Sequence, residues 1–331
     1  MIQSMLQTAT RSVRFCAQPL LPRLRFHSKA TALNAMGDSV SQPPSRADTP
    51  SSRTSTPRIG TPKPKKEVRI LMLHGYTQSG PLFRAKTRAL EKLLAKILAP
   101  SGILPVTVYP TAPNKLSPKD IPGYEARRPP SAQEGGAAAE SAAAADDQDI
   151  DAWAWFRKDE ASGKFRFLQE GMERVADAVR EAGGVDAVVG FSQGGCVAGM
   201  VAAALEEGRD PGDEGKEHEG WWRKLREANG GRALTFAVSY SGFQAVPRDL
   251  QWLYEPKIRT PTLHYIGSLD TVVEEARSQA LVARCEEAVV LTHPGGHYVP
   301  ITKEWVMPLA VFVKKCVEAK ADGEREGEVK L

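Results

Sequence analysis

The chain has 331 residues, 41% apolar, 25% charged and 7% aromatic, a make-up that excludes collagen-like, coiled-coil and wholly disordered proteins. No apolar run approaches the ~20 residues needed to cross a bilayer, and four scattered cysteines (Cys16, Cys196, Cys285, Cys316) without a C-x-x-C pair speak against a disulfide framework or a structural zinc site and for a reducing compartment. The net charge of +4 is uneven: residues 1–66 hold 11 of the 44 basic and 2 of the 40 acidic side chains, which leaves 33 basic and 38 acidic on the remainder, too little positive charge for nucleic-acid binding.

Residues 1–35 carry Arg11, Arg14, Arg23, Arg25 and Lys29 and no acid. That composition suits a mitochondrial transit peptide, and equally a basic extension ahead of an internal start at Met36. Residues 36–66 are rich in Ser, Thr, Pro and basic side chains, with almost nothing to bury, and read as a disordered linker. From 67 to 318 strands and helices alternate. Short apolar runs at 68–73, 104–109, 185–189, 233–238, 262–266 and 288–291 are strands of a sheet buried on both faces. Helical spacing covers 81–98, 166–182, 193–206 and 303–318. The pattern predicts a three-layer α/β sandwich on a mainly parallel sheet of about six strands. Two insertions, 123–151 and 207–231, are low in complexity or highly charged and read as flexible excursions. Residues 319–331 read as a charged tail.

Gly190-Phe191-Ser192-Gln193-Gly194 is the strongest local signal. A G-x-S-x-G match is weak alone, but this one joins an apolar strand to a helix of small residues, the setting of a nucleophile elbow. A serine needs a base to act as a nucleophile, and in such folds an acid and a histidine follow in that order. The strand at 262–266 leads into Asp270, and the strand at 288–291 leads into His293-Pro294-Gly295-Gly296-His297. His297 is the expected base, because the two glycines free its loop to swing the imidazole towards Ser192; His293 shapes the turn. Glu274 and Glu275 rival Asp270 as the acid but read better as charges at a helix start. An oxyanion needs backbone N–H donors, expected from Gln193 and, in the loop after the first strand, from Tyr76. His74 reads as a brace for that loop.

These segments, with Ile70-Leu71-Met72-Leu73-His74-Gly75-Tyr76-Thr77-Gln78-Ser79-Gly80, Trp153-Ala154-Trp155-Phe156-Arg157, Ser241-Gly242-Phe243 and His297-Tyr298-Val299-Pro300, make the chain resemble the FSH family of fungal and animal serine hydrolases. That is the α/β-hydrolase group of the ovarian-cancer-associated hydrolase and of LovG-like thioesterases. The resemblance covers nearly all of residues 67–318. It implies hydrolysis of carboxylic esters or thioesters, free or carrier-bound, by Ser192, Asp270 and His297 through an acyl-enzyme and without a cofactor, while the residues themselves indicate no metal and no membrane span. It also implies a cytoplasmic or nuclear location, or a mitochondrial one if residues 1–35 direct import. Tyr124, Trp153, Trp155, Phe156, Tyr240, Phe243 and Tyr298 are candidates for lining an apolar pocket, with Trp155, Phe156, Phe243 and Tyr298 foremost. The 123–151 insertion lengthens the segment over that pocket, so substrate size does not carry over. An acyl-protein thioesterase or lysophospholipase would share the Gly190–Gly195 hexapeptide but suits the His-Pro-Gly-Gly-His segment less well. A hydrolase-fold scaffold that only binds is disfavoured because all three positions hold competent residues.

Overall fold

The computed structural model describes residues 65–121 and 150–329. The basic extension, the linker up to residue 64, Tyr124 and most of the 123–151 insertion lie outside the described residues. Strand β1 (Lys66–Leu73) begins with the last residue of the expected linker. Its side chains alternate, Ile70 and Met72 into one apolar cluster and Leu71 and Leu73 into the other, as a strand covered on both faces must. Helix α1 (Gly80–Leu98) starts at Ser79, whose Oγ accepts from Leu82 N–H at 3.3 Å. It buries Phe83, Thr87, Leu90, Leu94 and Leu98, one stripe at three- and four-residue spacing.

The chain continues through β2 (Ile103–Val108), helix α2 (Leu168–Glu181), β3 (Ala187–Phe191), helix α3 (Gln193–Ala204), helix α4 (Glu219–Ala228), β4 (Phe236–Tyr240), β5 (Thr262–Gly267), helix α5 (Glu275–Val282), β6 (Ala288–His293) and helix α6 (Lys303–Val329). The six strands form one all-parallel sheet in the order β6-β5-β4-β3-β1-β2. Helices α1 and α6 pack on one face, while α2, α3, α4 and part of α5 pack on the other. This is the three-layer α/β architecture expected. The chain leaves β1 for one edge and returns at β3 to build the other side. Between β1 and β3 the sheet's growth reverses, and loops at the strands' carboxyl ends diverge there to leave a crevice.

Two expectations are corrected. The 207–231 segment is no flexible excursion: Lys216–His218 form a 3-10 turn leading into α4. Trp221 and Leu225, one turn apart, are fully buried, and Trp222 Nε1 donates to Ala204 O at 3.1 Å. Two apolar anchors at i, i+4 suffice to dock a helix whose other positions are charged. The last helix, expected over 303–318, runs on through the charged tail as far as Val329. Its Ala, Lys and Glu residues favour helix, and Asp322 and Arg325 pair along it at 3.4 Å. Among the described residues no helix is long and apolar enough to cross a membrane.

One buried ion pair ties the end of α3 to the approach of β5. Arg209 Nη2 meets Glu206 Oε2 at 2.5 Å, with both side chains at most 3% exposed. Glu206 Oε1 also accepts from the N–H groups of Arg259 and Thr260, each at 2.7 Å, and Arg209 donates to the carbonyls of Trp252, Pro256 and Lys257. Charges this deep are tolerable only when so fully partnered, and removing one partner strands the other. Glu206→Ala is therefore expected to lower unfolding free energy by about 3–5 kcal/mol in urea titrations of the full chain. A loss below about 1 kcal/mol would show that Arg209 is not held by this carboxylate.

Candidate active site

Ser192 is the single residue between β3 and α3, with φ 54° and ψ −117°. A non-glycine residue pays for that backbone with strain, which persists where the surroundings over-determine it. The surroundings here are backbone. A Cβ on Gly190 would sit 2.0 Å from Gly194 O, and one on Gly194 would sit 2.1 Å from Leu73 O. Strand, helix and neighbouring strand thus meet at distances that only glycine permits. Ser192 N–H donates to Tyr240 O at 2.8 Å, which holds the turn to β4.

Asp270 follows β5 and His297 follows β6, and the two are joined: His297 Nδ1 lies 2.8 Å from Asp270 Oδ2. The carboxylate is 1% exposed. Its Oδ1 accepts from the N–H groups of Val272 and Val273, both at 2.9 Å. Burial pushes the Asp270 carboxyl up, but the hydrogen bonds from His297 and Val273 outweigh it and hold the carboxyl below its usual range. The two loops are themselves clamped, since Leu269 N–H donates to Gly295 O at 3.0 Å and Ser268 N–H to His293 O at 2.9 Å. Gly295-Gly296 therefore do not give the loop freedom to swing. Their carbonyls lie 2.6 Å from where a Gly267 side chain would begin, so close approach demands glycine at 267, while a Cβ on Gly295 would run into the Tyr298 side chain. His297 rests on Phe191, ring centres 4.7 Å apart, next to Ser192. Among the described residues no hydrogen bond joins Ser192 Oγ to His297, a looseness common in sites without substrate.

Tyr76 and Gln193 line one cavity with Ser192, and its volume is about 700 Å³. Among the described residues neither backbone N–H has an acceptor. The Gln193 side chain has a task that the sequence did not reveal: Oε1 accepts from Trp155 N–H and Nε2 donates to Phe156 O, both at 2.8 Å. The residue after the serine thereby pins the segment that walls the cavity. Trp155 Nε1 in turn donates to His74 O at 2.9 Å. His74 is fully buried, and burial lowers its pKa to about 4, so the ring is neutral. It donates from Nδ1 to Gly75 O at 2.8 Å and accepts Ala112 N–H at Nε2 at 3.0 Å, a brace as expected.

Of the four foremost pocket candidates, Phe156 and Phe243 line the cavity, and Trp155 and Tyr298 are not among its lining residues. Trp155 is fully buried beneath the wall; Tyr298 is 51% exposed and lies against His293, ring centres 5.1 Å apart. Trp153 and Tyr240 pack in the core clusters. His293 accepts Gly295 N–H at 3.3 Å, a turn role as expected, and Glu274 and Glu275 begin α5. Sequence reasoning missed Phe165, stacked 4.0 Å from Phe156 and also in the wall, and Arg277. It also missed Asp151, which accepts from Ser79 Oγ at 2.6 Å and from Trp153 Nε1 at 2.8 Å. The one available signal was for Asp151, which stands two residues before the recognised Trp153–Arg157 segment.

Comparison with known proteins agrees with this geometry. The family model described as Serine hydrolase (FSH1) matches residues 64–309. Family of serine hydrolases 2 of Saccharomyces cerevisiae is 31% identical over 253 residues, covering 74% of this chain and 97% of that protein. Esterase OVCA2 of Danio rerio is 30% identical over 258 residues, covering 75% and 97%. A Schizosaccharomyces pombe protein named Dihydrofolate reductase is 32% identical over 235 residues, but these are 71% of this chain and only 44% of that longer protein. With a serine on a strained strand–helix turn and a family match that spans most of its length, the chain belongs to the serine hydrolase (FSH1) family.

Proposed function

We propose that the protein cleaves carboxylic esters or thioesters through an acyl-enzyme on Ser192, with His297 as general base and Asp270 as the acid that orients it. The observation that carries this reading is the His297 Nδ1–Asp270 Oδ2 contact of 2.8 Å beside the strained serine. An ionised carboxylate at Nδ1 fixes the tautomer that leaves Nε2 free to accept a proton. His297 takes the Ser192 proton as Oγ attacks the acyl carbonyl. The N–H groups of Tyr76 and Gln193, both without acceptors among the described residues, hold the oxyanion. His297 then protonates the leaving alcohol or thiol, activates water, and the acid departs. No step calls for a cofactor or a metal. Proteins similar to this chain are named esterases, which supports the ester half of the proposal. A cytoplasmic or nuclear setting belongs to the same reading, and fractionation of cells expressing the tagged full chain tests it.

A fluorophosphonate probe is expected to label the full chain and not its Ser192→Ala variant. A folded wild type that stays unlabelled sinks the proposal. Turnover would then be followed across acyl esters and thioesters of increasing length.

The acid partner makes a separate prediction. Asp270→Asn should keep the fold yet present the wrong tautomer of His297, lowering kcat by about 10³–10⁴-fold. Because the Asp270 carboxyl is held below its usual range, it stays charged well into mild acid. Loss of activity in mild acid is therefore not neutralisation of Asp270.

A further inference from the structure

Five charged residues line the Ser192 cavity: Asp120, Arg157, Lys158, Glu160 and Arg277. Four of them cancel in pairs, Arg157 with Asp120 and Lys158 with Glu160, each at 3.0 Å. Arg277 is left over. Among the described residues it has neither an ion-pair partner nor a side-chain hydrogen bond, and its guanidinium carbon lies 4.5 Å from the centre of the Phe243 ring. The stack has a fixed register, because the next residue, Ser278, donates from Oγ to Gly242 O at 2.8 Å and ties α5 to the turn before Phe243.

A guanidinium lying on an aromatic face spends its π surface on the ring and keeps its in-plane N–H donors for another group. Those donors match a carboxylate in a bidentate fork. The remaining walls include Phe156, Phe165, Val246 and Val272, which suit a hydrocarbon stem. The cavity as a whole thus offers a reacting serine, an apolar channel and one uncompensated positive charge.

We propose that Arg277 is a specificity determinant that selects esters or thioesters carrying a carboxylate on a short apolar stem, on either the acyl or the leaving-group side of the scissile bond. The inference rests on the ester-cleaving reading and adds the substrate class to it. Arg277 takes no part in the bond-breaking step; it binds the distant anionic end and so acts on KM.

The test uses p-nitrophenyl half-esters of succinic, glutaric and adipic acids beside the neutral butyrate, valerate and hexanoate of matched length. A second arm places the carboxylate on the leaving group, comparing 4-carboxyphenyl with phenyl butyrate. In at least one arm the wild-type chain is expected to favour the charged ester in kcat/KM, chiefly through KM. Arg277→Gln should cut that charged-to-neutral ratio about tenfold and Arg277→Lys by less, since lysine keeps the charge and loses the fork. The wild-type preference should also shrink between about 0.05 and 0.5 M NaCl. Fluorophosphonate labelling of each variant reports that the Ser192 site is assembled. A ratio equal in wild type and Arg277→Gln, or a neutral preference in both arms, overturns the inference while leaving the ester reading intact. A wild type that neither labels nor hydrolyses any of these esters overturns the ester reading and this inference with it.

Discussion

Everything in the molecule hangs on the contact of three backbones around Ser192. Gly190 and Gly194 let α3 press onto the end of β3 and onto the carbonyl of Leu73 in β1, closer than any side chain would allow. That contact forces the serine to φ 54°. It also explains why α3 is buried along its whole length and built from small residues: a helix this near the sheet has no room for larger ones. The strain at Ser192 is borne by the core, with packing on both faces of the sheet resisting its release.

A second layer of order starts at the residue after the serine. Gln193 begins α3, and its side chain bonds to the backbone of Trp155 and Phe156 on both sides. Trp155 bonds to the His74 carbonyl, and His74 to Ala112. The loop that holds Tyr76 and the wall that holds Phe156 are therefore referenced to the turn that holds Ser192. Each bond is buried and neutral, so none depends on salt or on pH near neutrality. A wall positioned in this way stays in register with the serine when the surface around it moves.

Much of the fold was legible because strands covered on both faces show as unbroken apolar runs and because the small-residue helix after Ser192 has no other use. The order serine, acid, histidine was legible for the same reason, since each follows a strand at the same edge of the sheet. What was not legible depended on sparse or non-local signals. Helix α4 rests on Trp221 and Leu225 within a stretch otherwise dominated by charge and glycine, and composition outweighed the spacing. Trp155 and Tyr298 look alike in sequence as aromatic pocket candidates. Only the tertiary hydrogen bond of Trp155 to His74, and the position of Tyr298 against His293, separate them from Phe156 and Phe243. Arg277 carried no signal at all, because what distinguishes it is the absence of a partner among the residues around it.

The two halves of the proposed catalytic group are rigid by different means. Ser192 is held by the core, whereas Asp270 and His297 are held by each other and by the clamp between their loops across Gly267. Between the halves runs one aromatic contact, Phe191 under His297 at 4.7 Å, and no hydrogen bond from the serine hydroxyl among the described residues. A ring contact restrains distance but leaves rotation and small slides cheap, while a charged hydrogen bond such as that of Asp270 fixes direction. The imidazole thus keeps its orientation towards the acid and retains slack towards the serine. On the proposed reaction, a substrate whose oxyanion is drawn onto the Tyr76 and Gln193 amides would supply the constraint that closes this gap, so the alignment of serine and base would be completed by the ligand.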